Sequence, residues 1–183
     1  MGAAYIDSWG EVDRNAGQEH DVSNSRPTIR RATPADAPAV RDLTRAAYAK
    51  WIPIIGREPK PMAADYHAAV RDHLVDLLHV DGTLAALVET ISEPDHLLIE
   101  NVAVAPAFQG AGHGRRMMYH AERLAATLGH GEVRLYTNQM FADNVRLYLA
   151  LGYRIDREER GVLGMTVYMS KHLTGRDSDD GRR

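Results

Sequence analysis

The sequence predicts a mixed α/β domain: one central sheet with strands in both orientations, covered by helices. Three observations carry this. Apolar runs of strand length follow one another from Val75 to Val104, with Asp81-Gly82 between the first two as a hairpin turn. Helical spacing flanks them, with Val40, Leu43, Ala47 and Trp51 on one face before and the stretch Gly112 to Leu128 after. The elements run βαα, βββ, αβ, αββ, a mixture that a single mixed sheet accommodates.

Taken in order, the body opens on a short strand, Thr28 to Arg30. Thr33 suits an N-cap, Pro34 the first helical position, and Asp36 complements the positive helix end. Pro53, Gly56, Pro59 and Pro61 break that helix into an irregular loop, and a second helix is expected over Ala63 to Leu74. Strands follow at Val75 to Val80, Thr83 to Ile91 and His96 to Val104, the last ended by Pro106. Gly112 to Leu128 reads as a helix closed by Gly129 in a left-handed conformation. Then come a strand at Glu132 to Thr137, a helix from Asn144 to Leu151 stopped by Gly152, and two strands at Tyr153 to Asp156 and Val162 to Ser170.

Composition bounds the function. The 183 residues are 44% apolar and 26% charged, which suits one domain, residues 28–173, flanked by polar tails at 1–27 and 174–183. A net charge of −3 supplies no field to draw in nucleic acid or anionic lipid, so neither is an expected partner. The absence of cysteine excludes disulfides, thiol nucleophiles and thiolate metal sites. The N-terminus lacks the basic start and apolar core of a secretory signal, and no apolar run approaches the roughly 20 residues that span a bilayer. A cytoplasmic location is expected. His113 and His120 share a helix face but stand about 10 Å apart along it. His67, His73 and His79 lack ligand spacing, so no metal is expected.

The sharpest local feature is Gln109-Gly110-Ala111-Gly112-His113-Gly114, directly after a strand and opening a helix. Glycines there let backbone N–H groups turn toward one point, and the helix adds its unpaired amides and positive end, with Arg115 and Arg116 beside it. This is a pyrophosphate cradle of some kind. A P-loop would need Lys-Ser/Thr after the last glycine, and a dinucleotide fold would need G-x-G-x-x-G with an acid ending the next strand, which here ends Thr137-Asn138. The plainer alternative is a glycine turn that only permits tight strand-to-helix packing.

Val102-Ala103-Val104-Ala105-Pro106 followed by Gln109 to Gly114 resembles the signature of the GNAT superfamily of acyl-CoA-dependent N-acetyltransferases. Asn144-Val145-Arg146-Leu147-Tyr148-Leu149-Ala150-Leu151-Gly152-Tyr153 resembles the second motif of that family. The resemblance covers Thr28 to Leu173. It implies a GNAT-like fold, a mostly antiparallel sheet of about six or seven strands, splayed between the fourth and fifth, with about four flanking helices. It implies acetyl-CoA as cosubstrate, with Val102, Ala103 and Val104 beside the pantetheine arm in the manner of an added strand. Gln109, Gly110, Ala111, Gly112, His113, Gly114 and Arg115 would hold the pyrophosphate, and Asn138 and Asn144 would lie near the gap. Tyr148 stands where the family often has a general acid for the departing thiolate. Dimers are common in the family, so a homodimer is among its implications.

Amine acetylation requires an alkylammonium, of pKa about 10.4, to lose a proton before attack. Glu100 interrupts the apolar run Leu97-Leu98-Ile99 and is the candidate base; the alternative is that it caps or pairs with a neighbouring arginine. The plainer alternative for Tyr148 is an amphipathic core tyrosine between Leu147 and Leu151, and Asn144 reads also as the N-cap of its own helix. The resemblance puts the acceptor pocket in Tyr48 to Tyr66, so Trp51, Tyr66 and Glu100 are the substrate candidates, although both aromatics could be core. The expected activity is acetyl transfer to a primary amine of a small molecule or peptide. The alternative is a non-catalytic acyl-CoA-binding sensor or interaction module, which would need neither Glu100 nor Tyr148.

Overall fold

At Thr33 the chain enters its first helical turn through a reciprocal cap. Asp36 accepts the Thr33 backbone N–H at 2.7 Å and the Thr33 hydroxyl at 2.8 Å, and pairs with Arg30 at 2.7 Å. The Arg30 guanidinium, then the Thr33 amide, hold the Asp36 carboxyl well below the usual carboxylate range. The computed structural model describes residues 27–162 and 164–173, so the expected tails, apart from Pro27, lie outside the described residues.

The strands are β1 (Thr28–Arg31), β2 (Leu74–Val80), β3 (Thr83–Ser92), β4 (Leu97–Val104), β5 (Glu132–Asn138), β6 (Arg154–Gly161) and β7 (Gly164–His172). The helices are α1 (Ala37–Tyr48), the single-turn α2 (Ile52–Ile55), α3 (Tyr66–Asp72), α4 (His113–Thr127) and α5 (Ala142–Ala150). One sheet runs β1-β2-β3-β4-β5-β7-β6, antiparallel throughout except for the parallel β4–β5 pair. The expected mixed, mostly antiparallel sheet is therefore present.

Two cores sandwich the sheet. On one face Leu77, Leu87 and Ala103 meet Val40, Leu43 and Ala47 of α1 and Val70 of α3. On the other, Leu78, Val88, Ile99 and Val133 meet Met117, Met118 and Ala121 of α4. Leu77 and Leu78, successive residues of β2, are both fully buried and point to opposite faces, each contributing about 1.5–3 kcal/mol.

Several boundaries differ from expectation, the first helix ending at Tyr48, before Trp51, and a helical turn, α2, following through Pro53. The helix expected over Ala63 to Leu74 is α3 alone. Asp65 accepts the amides of His67 and Ala68 at 3.0 and 3.1 Å and so sets the helix start, while Leu74 joins β2 opposite Thr90. The strand read at Tyr153 to Asp156 extends to Gly161, because β6 is an edge strand exposed throughout whose charged residues carry no apolar alternation, while β7 keeps the length read but starts two residues later, at Gly164.

Two irregularities in β4 interrupt the middle of the sheet. β4 and β5 pair at only three positions, Leu97 to Ile99 opposite Val133 to Leu135, and then diverge, while β4 stays paired to β3 as far as Val104. Ile99 opposes Thr90 and Asn101 opposes Glu89, so Glu100 has no partner of its own and is the extra residue of a β-bulge. The bulge switches faces. Ile99 belongs to the α4-side core, whereas Asn101 bonds Tyr48 and Ala103 packs with α1.

Candidate active site

Gly110 and Gly112 both take φ +81°, a left-handed conformation that favours glycine. A Cβ built on either meets nothing within 4 Å, so the turn opens onto space. From Gly110 onward, the first amide with a backbone acceptor among the described residues is that of Arg116, on the Gly112 carbonyl at 3.0 Å. Gln109 starts the turn: its side chain donates to the Val104 carbonyl at 3.0 Å and accepts from Lys50 at 3.1 Å. Gly114 faces the packed side of the turn, where a Cβ would lie in ordinary contact with Val104 at 3.6 Å and Leu147 at 3.9 Å.

This loop borders a cavity of about 380 Å³, together with Val102, Val104, Arg115, Trp51 and Leu147. A second cavity, of about 680 Å³, lies past the bulge and is walled by Tyr66, Glu89, Glu100, Tyr136, Asn138 and Tyr168. Tyr48, Val102, Asn144 and Tyr148 line both. The two spaces meet where β4 and β5 part. A loop of open amides beside a strand with one unpaired edge is what a diphosphate with a linear arm requires, and the residues present fit CoA.

A family model described as the acetyltransferase (GNAT) family matches residues 38–153. The chain belongs to the GNAT family of acetyltransferases.

It is 33% identical over 78 residues to mouse (Mus musculus) N-alpha-acetyltransferase 80, an alignment that covers 43% of this chain and 24% of that protein. Thus the chain matches about a quarter of the length of that curated relative. Among solved structures it resembles the ribosomal-protein-S18-alanine N-acetyltransferase from Escherichia coli, with TM-score 0.63 and 21% identity over 83% of this chain and 98% of that one. It also resembles the PaiA N-acetyltransferase from Thermoplasma acidophilum in complex with coenzyme A, with TM-score 0.62 and 18% identity over 81% and 99%. At these identities the likeness is one of fold.

Within this GNAT domain, Tyr148 packs in the α4-side core 6.2 Å from the ring of Tyr153 while lining both cavities. Burial pushes its phenol up to about 12, so it keeps its proton at every physiological pH. Glu100 accepts a 2.6 Å hydrogen bond from the Tyr136 hydroxyl, which reaches across the gap from β5. The expected alternative, an arginine partner, gives way to that phenol. Burial, then this bond to Glu100, drives Tyr136 well above the ordinary tyrosine range.

Two expectations need correction. Asn144 is not an N-cap. Asn138 folds the chain back by accepting the Met140 and Phe141 amides at 2.9 Å each, on its side chain and carbonyl, so α5 begins at Ala142 with Phe141 at the cap. Asn144 then sits inside the first turn and lines both cavities. Trp51 does not line the larger cavity. It stacks on Phe141 at 4.5 Å and borders the smaller one. Tyr66 does line the larger cavity, its hydroxyl donating to the Pro61 carbonyl at 2.7 Å.

Tyr48, Tyr136 and Glu89 were not singled out by sequence reasoning. Glu89 carried a usable signal, an acid inside the apolar run Ala85 to Ile91, the same signal that marked Glu100. Among the described residues no group of three or more His, Asp or Glu gathers to hold a metal, and no helix is long and apolar enough to cross a membrane.

Proposed function

We propose that this GNAT protein transfers an acetyl group from acetyl-CoA to a primary amine held in the larger cavity, with residues 28–173 as the catalytic domain. The observation that carries this reading is the meeting of the two cavities at the β4–β5 gap, with Tyr148 on both. Amides from Gly110 to Gly114, with Gln109 and Arg115, hold the pyrophosphate, and Val102, Ala103 and Val104 flank the pantetheine arm near Asn138 and Asn144. When bound, acetyl-CoA supplies the thioester that the amine attacks.

Glu100 takes the proton that the ammonium must shed, directly or through water. Its Oε1 is held by Tyr136, which fixes the carboxylate at the bulge. Tyr148 donates a hydrogen bond to the leaving sulfur. Its phenol, at about 12, lies above a thiol of pKa about 8.5, so complete proton transfer to sulfur is uphill. Its part is charge stabilisation by a donor rather than full protonation. The names of the mouse and Escherichia coli proteins concern amino-terminal and alanine amines, which supports an amine acceptor. We assign the activity to the cytoplasm, in keeping with the absence of cysteine.

Thiol release from acetyl-CoA, screened over amino acids, polyamines, aminoglycosides and peptide N-termini, tests the reaction. Acceptor-dependent release is expected in at least one pool, and none in any would refute it. Gly112→Asp tests the cradle: a charged side chain in a left-handed turn facing the phosphates should cost at least about 100-fold in CoA affinity by calorimetry. Unchanged affinity would remove the loop from the site.

A further inference from the structure

The larger cavity has a second carboxylate in its wall, left idle by the roles above. Glu89 sits within β3, 4% exposed, opposite Asn101 and so beside the bulge at Glu100. A buried carboxylate without a partner would be far too costly to keep. Its partner is His73, whose Nδ1 lies 2.6 Å from Glu89 Oε1. His73 is the residue at which α3 ends, and its side chain is 30% exposed against 6% for Glu89. The pair therefore runs from the cavity wall to the surface of the protein.

Titratable groups surround Glu89 from every packed element: Tyr48 of α1, Tyr66 of α3, Glu100 of β4 and Tyr136 of β5. Burial pushes the Glu89 carboxyl up, His73 pulls it down by hydrogen bond and charge, and Glu100 pushes it up again; the net shift is upward. That makes Glu89 a better proton acceptor than an unperturbed carboxylate.

We propose that Glu89 and His73 form the proton exit of the acceptor cavity, an inference that rests on the amine-acetyltransferase reading. Glu100, half-buried at the bulge, lines the same cavity as Glu89, and a proton taken up there has to leave before the next turnover. One N–H bond of the ammonium breaks and one O–H bond forms on Glu89, directly or by way of Glu100. With the imidazole protonated on Nε2, that proton crosses the short bond to Nδ1 and the Nε2 proton leaves to water; exchange with solvent then returns the imidazole to its starting tautomer before the next turnover. No electrons change hands. His73 acts here as a positioning and relay residue behind Glu89. The competing role is a staple that only pins the end of α3 to the sheet.

Two acceptors of similar shape separate these roles. Benzylamine is an ammonium at pH 7, whereas O-benzylhydroxylamine is neutral and has no proton to lose before attack. The full chain, Glu89→Gln and His73→Asn are each assayed with acetyl-CoA and both acceptors across pH. Because both rates scale with the folded fraction, their ratio is independent of misfolding. The expected result is a ratio of benzylamine to O-benzylhydroxylamine turnover lowered at least about 10-fold in both variants at pH 7, recovering as pH rises and free amine accumulates. Equal loss on both acceptors overturns the exit and leaves a staple, with acetyl transfer intact. Wild-type turnover of O-benzylhydroxylamine alone also overturns it. Wild-type turnover of neither of these, nor of any amine in the acceptor screen, overturns the amine-acetyltransferase reading itself, and the exit with it.

Discussion

The Tyr148 ring and the Tyr148 hydroxyl have separable duties. The ring fills the α4-side core beside Tyr153 and Leu151, and the side chain lines both cavities. Tyr148→Phe removes one oxygen and keeps the ring, so stability should change little while kcat falls about 100-fold with acetyl-CoA affinity preserved. Steady-state kinetics beside calorimetry check this, and full turnover in the variant would take Tyr148 out of the mechanism. Glu100 and Tyr148 were legible because each breaks or completes a local pattern. Tyr136 was not, since it becomes Glu100's partner only where β5 swings away from β4 and the two side chains bridge the gap.

At the scale of elements, β1, β2 and α4 are joined by one buried carboxylate. Asp76 of β2 accepts from Arg31 Nε of β1 at 2.7 Å and lies 2.9 Å from His120 Nε2 of α4. Burial pushes this carboxyl up, but the bonds from His120 and Arg31 outweigh it and leave it below its ordinary value. A folded value below the unfolded one gives stability that is present above the unfolded carboxylate pKa, about 3.9, and is lost as pH falls through the folded value. Asp76→Asn should cost about 1–3 kcal/mol at neutral pH and flatten the acid end of the stability curve. Urea unfolding between pH 3 and 7 measures both, and a variant as acid-labile as the parent would exclude Asp76 as the cause. His120, weighed in the sequence as a metal ligand and set aside, holds α4 to the sheet instead.

Over the whole molecule, tyrosine chemistry sets an alkaline limit. Five of the eight tyrosines, Tyr48, Tyr66, Tyr136, Tyr148 and Tyr153, are raised above their ordinary value, burial being the leading cause in each. A raised folded value means stability that is complete below the unfolded tyrosine pKa of about 10 and drains away as pH rises beyond it. Tyrosinate absorbance from these five and loss of structure should therefore appear together above about pH 10, not as an early titration followed by unfolding. An early, five-tyrosine titration in a folded protein would show these phenols to be solvated. The same burial keeps the Tyr148 hydroxyl protonated at the pH where cells work.

What the sequence determined by itself was the local order: the hairpin at Asp81-Gly82, the glycine turn at the start of α4, the helix stop at Gly152, and the two motifs that resemble the GNAT family. Each depends on backbone preferences or spacing within a few residues, which any single chain displays. What only the tertiary structure decided was which groups share a space. The bulge at Glu100 turns Asn101 toward α1, the parting of β4 from β5 opens the gap, and Asn138 moves the start of α5 so that Asn144 lines it. Glu89 and His73, 16 residues apart, meet because α3 ends where it packs on the sheet. Long-range meetings of this kind depend on strand register and layer packing, which no local pattern in the chain encodes.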